Sequence, residues 1–144
     1  MKITQDYFDL MISRGVTDFT DLDLTDIKAM GIKFVNAVFC NTILKGVDFR
    51  QSIFESETWH VTFKKCNLDQ VVFRGCGLRG EWFSECNIEG AKFNDADLLN
   101  ARFYKCNLSG SVFDNAAMYH VTIEDSLTLF ADFSNANKHC LVIY

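Results

Sequence analysis

A five-residue period held over most of the chain constrains this sequence more than any other feature. Counting in fives from Phe63 meets Leu68, Phe73, Leu78, Phe83, Ile88, Phe93, Leu98, Phe103, Leu108, Phe113, Met118 and Ile123, and then Thr128 and Phe133. Two places before each stands a small or thin side chain, among them Cys66, Val71, Cys76, Cys86, Ala91, Ala96, Cys106 and Ser111; Glu81 alone breaks that second series. Upstream, Phe34, Phe39, Leu44, Phe49, Phe54 and Trp59 keep the spacing, but Phe54 and Phe63 are nine residues apart, which reads as one residue dropped between Glu57 and His60. Neither the helical period of about 3.6 residues nor the alternation of a strand keeps such positions on one side over this length. The repeat itself must therefore define the shape.

A second period of twenty lies over the first: Lys65-Cys66-Asn67-Leu68 returns as Glu85-Cys86-Asn87-Ile88 and Lys105-Cys106-Asn107-Leu108, and decays to Asp125-Ser126-Leu127-Thr128. Four pentapeptides then make one turn. Residues twenty apart stack about 4.8 Å above one another, with their backbones paired as a parallel ladder. Phe73, Phe93, Phe113 and Phe133 are expected to form one buried stack, and Phe63, Phe83 and Phe103 another. A chain of average composition this long would carry about seven prolines, and this one has none. A ladder that uses its backbone N–H groups accounts for that, because proline cannot donate to it.

On these residues the chain resembles the pentapeptide repeat family, whose signature is met by Ala96-Asp97-Leu98, Cys66-Asn67-Leu68 and Cys106-Asn107-Leu108. The resemblance implies an all-β solenoid, a right-handed quadrilateral β-helix, over residues 31–137. Departures from the pattern are the irregular step near Trp59, Glu81 at an inward place, and polar Thr128 and Lys138 where the core series ends. A bulge carrying Glu81 to solvent beside Trp82 is expected, the other possibility being burial against Arg79 or Arg102.

The flanks read differently. Residues 1–30 are expected to form a short helical, acidic N-terminal cap. Thr4 is placed to cap a helix through Ser13 before Gly15, and Thr25 to cap a second helical turn through Met30 before Gly31. Residues 138–144 form a strand-like tail, in which Leu141 to Tyr144 either closes the last coil or makes a homodimer by pairing with another chain.

Composition narrows the function. With 19 Asp and Glu against 14 Lys and Arg, the formal charge of −5 argues against direct binding to nucleic acid. No apolar run is long enough to span a bilayer, and the start of the chain does not read as a secretory signal, so a cytoplasmic, membrane-free protein is expected. The six cysteines Cys40, Cys66, Cys76, Cys86, Cys106 and Cys140 contain no C-x-x-C pair. Their places in the inward series make buried thiols the expectation, without disulfide or zinc. Gly75-Cys76-Gly77-Leu78-Arg79-Gly80 matches a dinucleotide fingerprint literally, but the repeat runs on without the helix such a site needs. His60 and His120 lie three coils apart, roughly 14 Å, too far for a shared metal or proton relay. His139 adds no recognisable motif. No catalytic residue, metal or cofactor is therefore expected, and the protein is read as a non-enzyme.

What remains is surface. Asp18, Asp21, Asp23 and Asp26 make the densest acidic segment, and Asp69, Glu89, Asp95, Asp114 and Asp132 fall on outward places of two adjacent sides with Lys92 and Arg74 among them, while Glu85, Glu124 and Asp125 lie near another corner. Acidic side chains at a regular rise along a rod can imitate the phosphate rows of duplex DNA and occupy a basic groove. Members of the resembled family that confer fluoroquinolone resistance are thought to work on DNA gyrase in this way. The leading expectation is therefore a DNA-mimicking inhibitor whose partner is a DNA-binding machine, either a CRISPR effector complex, as for anti-CRISPR proteins, or a topoisomerase. The alternative is a protein-interaction scaffold that docks through Trp82, Leu99, Tyr104 and Tyr119.

Overall fold

The computed structural model describes residues 1–57 and 62–144, and it is a solenoid built one pentapeptide at a time. Among the described residues a single helix, α1 (Gln5–Ser13), precedes eight short strands: β1 (Lys33–Val35), β2 (Phe39–Cys40), β3 (Ile53–Glu55), β4 (Phe63–Lys64), β5 (Trp82–Ser84), β6 (Arg102–Tyr104), β7 (Thr122–Glu124) and β8 (Val142–Ile143). All pairings are parallel, and β2, β4, β5, β6, β7 and β8 stack in that order into one six-stranded sheet. Single parallel bridges continue the ladder elsewhere, as in Asn67↔Asn87↔Asn107, Val72↔Lys92↔Val112 and Gly77↔Asp97↔Ala117. Four sides thus close each coil, and the chain is the quadrilateral β-helix that its repeat predicts.

Each side is centred on one inward column. Phe19, Phe39, Phe63, Phe83, Phe103 and Ile123 centre the first side, and Leu24, Leu44, Leu68, Ile88, Leu108 and Thr128 the second. Phe49, Phe73, Phe93, Phe113 and Phe133 centre the third, and Phe34, Phe54, Leu78, Leu98 and Met118 the fourth. The phenylalanine rings stack nearly face to face up a column, 4.8 Å from Phe63 to Phe83 and 4.8 Å from Phe93 to Phe113, and meet edge-on between columns. Every fifth residue from Asp95 to Phe130 has a positive φ. On three of the four sides the chain there makes a turn closed by a bond such as Ala96 N–H to Phe93 O at 3.0 Å. A left-handed third residue is what a type II turn requires, which explains the Asn, Asp and Gly at these corners.

Small inward residues do more than fill space. Thr42 Oγ donates to Phe19 O at 2.9 Å, and the thiols of Cys66, Cys86 and Cys106 donate to Phe39, Phe63 and Phe83 O, one coil below. Cys76 reaches Phe49 O at 2.8 Å. Hydroxyl and thiol are thus interchangeable donors in this column. Burial pushes the Cys76 thiol up to about 12, and the flanking thiols of Cys106 and Cys66, followed by burial, push Cys86 up as well. In the native protein, Cys140, which is exposed, will react first with a thiol reagent and Cys40 more slowly. Cys66, Cys76, Cys86 and Cys106 should react only on unfolding, and timed labelling read by mass spectrometry checks this. Fast labelling of Cys86 in native protein would show that the column opens locally.

Four sequence expectations change. The nine residues from Phe54 to Phe63 are not two sides with one residue missing. Phe63 pairs with Phe39 and Asn67 with Ile43, offsets of 24 residues in place of twenty, so one side carries four extra residues. Trp59, His60 and Val61 lie outside the described residues, and Phe63 takes the place above Phe39 that Trp59 would have had. The expected helical turn from Thr25 to Met30 is not formed. Asp18, Asp23 and Lys28 bridge to Val38, Ile43 and Asp48, and Phe19, Leu24 and Ala29 are buried five residues apart, so the β-helix already runs through the second half of the expected cap. What caps the lowest coil is α1, with Thr4 at its N-cap. Its Phe8 ring lies 6.1 Å from Phe19, and Gln5 bonds both the N–H and the C=O of Lys28.

Glu81 does not bulge into solvent. It is 1% exposed, and its carboxylate accepts from the hydroxyls of Thr62 and Ser56. These hydrogen bonds help hold it inward without breaking the ladder. At the other end, Val142 and Ile143 pair with Thr122 and Ile123, so the tail closes the last coil. Among the described residues no helix is long and apolar enough to cross a membrane.

Candidate functional site

The ladder assigns every outward side chain to a side and a height, so the predicted site residues can be placed. Asp18 and Asp21 stand on the first side and Asp23 and Asp26 on the second, all in the lowest full coil. Asp69 and Glu89 occupy equivalent places on the second side in successive coils. Hydrogen bonds from Thr20 hold the Asp18 carboxyl below the usual carboxylate range, and those from Thr25 do the same for Asp23, its Oγ lying 2.6 Å from the carboxylate. These acids keep their charge well below neutral pH. Lys45 pairs with Asp69 at 3.2 Å, and Lys2, which bridges to Asp23, is a second cation at the base of that side.

The third side behaves differently. Asp95, Asp114 and Asp132 do lie on it, but so do Lys28, Arg50, Arg74 and Lys92. Arg74 faces Asp95 at 3.5 Å and Arg50 faces Asp48 at 2.7 Å. Asp114 accepts from Asn135 at 2.7 Å. Cations fill its lower coils and acids its upper ones, so the third side has no continuous acidic row. The expectation of two adjacent acidic sides reduces to one, the second, joined at its base by Asp18 and Asp21.

The apolar candidates fall into two pairs on different sides. Trp82 and Tyr104 are half-buried on the first side, with the Arg102 guanidinium 5.9 Å from the Trp82 ring and the Lys105 ammonium 4.9 Å from that of Tyr104. They line a shallow groove of about 380 Å³ with Arg102, Thr122, Glu124 and Tyr144. Leu99 and Tyr119 stand on the fourth side, where Asn137 donates to the Tyr119 hydroxyl. Sequence reasoning missed an exposed apolar group, Leu127, Leu129 and Phe130 on the second side of the last coil. Its signal was present, since in Ser126-Leu127-Thr128-Leu129-Phe130 the apolar residues take the outward places.

The motifs that invite catalysis stay apart from one another. Gly75 and Gly80 are left-handed corners, and Gly77 bridges Ile53 and Asp97 within the ladder, with no helix following. The His120 and His139 rings lie 6.4 Å apart at an exposed corner, and His60 is outside the described residues. Among the described residues, no group of His, Cys, Asp and Glu is placed to hold a metal ion.

Among curated proteins none matches the chain. Similar solved structures include full-length QnrB1, a plasmid-mediated fluoroquinolone resistance protein, at 13% identity over 99% of this chain and 89% of that one, with a TM-score of 0.47. Another is the pentapeptide repeat protein Rfr23 from the cyanobacterium Cyanothece 51142, at 14% identity over 95% and 98%, with a TM-score of 0.32. HetL from Nostoc sp. strain PCC 7120, a pentapeptide repeat protein involved in heterocyst differentiation regulation, matches at 11% identity over 96% and 95%, with a TM-score of 0.23. The family model for the pentapeptide repeat region matches residues 32–103, half of the chain. With its five-residue core period and its four-sided coil, the chain belongs to the pentapeptide repeat family.

Proposed function

We propose that the protein is a non-catalytic binding module that lays its acidic second side in the basic nucleic-acid-binding groove of a partner protein and so competes with DNA. The observation that carries this reading is the charge of that side. Asp23, Asp26, Asp69 and Glu89 rise along it, with Lys45 between them and Lys2 at its base, on a rod whose pitch is set by inter-coil hydrogen bonds. Fixed, regularly spaced charges are pre-ordered and lose little freedom on binding. DNA gyrase and CRISPR effector complexes are the candidate partners, and the cytoplasm is the place of action.

Competition tests this directly. DNA binding by purified gyrase and by a CRISPR effector complex is titrated with the protein at low and high salt. Loss of DNA binding to one of them at low salt, relieved at high salt, is the expected result, because exposed charges are screened over about 10 Å at moderate ionic strength. Asp69→Lys with Glu89→Lys should weaken competition about tenfold or more, while Asp95→Lys with Asp114→Lys on the charge-balanced third side should matter less. Competition that salt does not touch, or that the second-side reversals leave intact, would reject mimicry.

A further inference from the structure

The last coil inverts the polarity of the second side. In the three coils beneath, its outward places hold Asn67, Asp69 and Gln70, then Asn87, Glu89 and Gly90, then Asn107, Ser109 and Gly110. In the last coil they hold Leu127, Leu129 and Phe130, exposed to 65%, 64% and 85%, while the inward places hold Ser126 and Thr128. A slipped register does not explain this. Leu108 and Gly110 donate to Leu127 O and Leu129 O at 2.7 and 2.9 Å, and Leu127 donates to Cys106 O at 2.9 Å. Ser126 is held inward, accepting from Cys106 N–H and donating to Glu124 O. Phe130 in addition sits at a left-handed corner with φ +59°, a conformation that a bulky aromatic adopts at a cost. Three apolar side chains are thus turned to water where polar ones would serve the fold better.

The surroundings say what fits. Glu124 and Asp125 precede the patch on its own coil, Asp132 follows it, and Asp114 lies one coil down on the next side, while Lys105 near Asp125 and Lys138 near Asp132 are the cations close to it. The patch is an apolar centre whose rim carries four acids against two lysines, an acidic balance. We propose that Leu127, Leu129 and Phe130 are the anchor for a basic amphipathic helix of a partner protein, whose apolar ridge covers them while its Lys and Arg meet the rim. A second copy of this chain fits worse. Face to face, two patches would bring their acidic rims together, and end to end, the β8 edges would meet while Leu127 and Leu129 still faced sideways. The inference rests on the reading that the partner presents a basic protein surface, and it adds where that partner is gripped.

The test uses the whole protein and two synthetic fluorescent peptides of equal charge, an amphipathic Leu/Lys helix and a Gly/Lys chain. The Leu/Lys peptide should bind roughly tenfold or more tightly than the Gly/Lys one, and Leu129→Ser with Phe130→Ser should remove that preference. The same pair should leave the melting temperature unchanged or higher, since both side chains are exposed. Equal binding of the two peptides, a preference that survives the substitutions, a marked loss of thermal stability, or self-association that the substitutions abolish would each overturn the proposal. The assay contains no DNA-binding machine, so it can fail while salt-sensitive competition holds, and the converse.

Discussion

Replacing Phe93 by alanine will cost about 3–5 kcal/mol of folding stability. Its ring is fully buried in the middle of the third-side column, stacked at 5.2 Å on Phe73 and 4.8 Å on Phe113, with Phe83 and Phe103 edge-on at 6.3 and 5.9 Å. The backbone on all sides is pinned by inter-coil hydrogen bonds, so the walls cannot collapse into the void. A domain of this size is stable by about 5–15 kcal/mol in total, so the variant should be near the edge of folding. Phe133→Ala is the companion measurement. That ring touches the same column from one side only, at 4.8 Å from Phe113, and is half-buried, so about 1–2 kcal/mol is expected. Urea unfolding of both variants, followed by circular dichroism, gives the comparison. Equal losses would mean that the column is not packed as a cooperative unit.

Val112→Pro should be comparably damaging for a different reason. The Val112 N–H donates to Ala91 O at 2.9 Å, and the residue bridges Lys92 below and Asp132 above. Proline removes the donor and fixes φ, at a cost on the order of 3 kcal/mol. Val112→Ala keeps the N–H and should cost about 1 kcal/mol or less at this half-buried place. The same unfolding experiment separates them. A mild proline variant would show that the missing prolines of this chain have a cause other than the ladder.

Much of this was legible before the structure. Phe63 to Phe133 at five-residue intervals predicts inward columns, and the twenty-residue return of the Cys-Asn pairs predicts four sides. Phe19, Leu24 and Ala29 obey the same count, yet the aspartates between them disguised a coil as a cap. Other features were hidden by arithmetic: a gap of nine between Phe54 and Phe63 is one residue short of two sides or four more than one, and spacing alone cannot choose. Glu81 was misplaced because its donors, Thr62 and Ser56, stand 19 and 25 residues away. Which acids on these sides are paired was hidden for a like reason. Arg74 neutralises Asp95 from 21 residues earlier, and Lys45 reaches Asp69 across the irregular coil.

By itself, the sequence determined the shape of the rod, because a five-residue alternation of large and small side chains is local and can be buried on one side in only one way. Tertiary structure decided the register across the four extra residues, the burial of Glu81, which side stays acidic, and the outward turn of Leu127, Leu129 and Phe130. Those depend on hydrogen bonds and charges between coils some twenty residues apart, and no local pattern encodes which residue will lie above which.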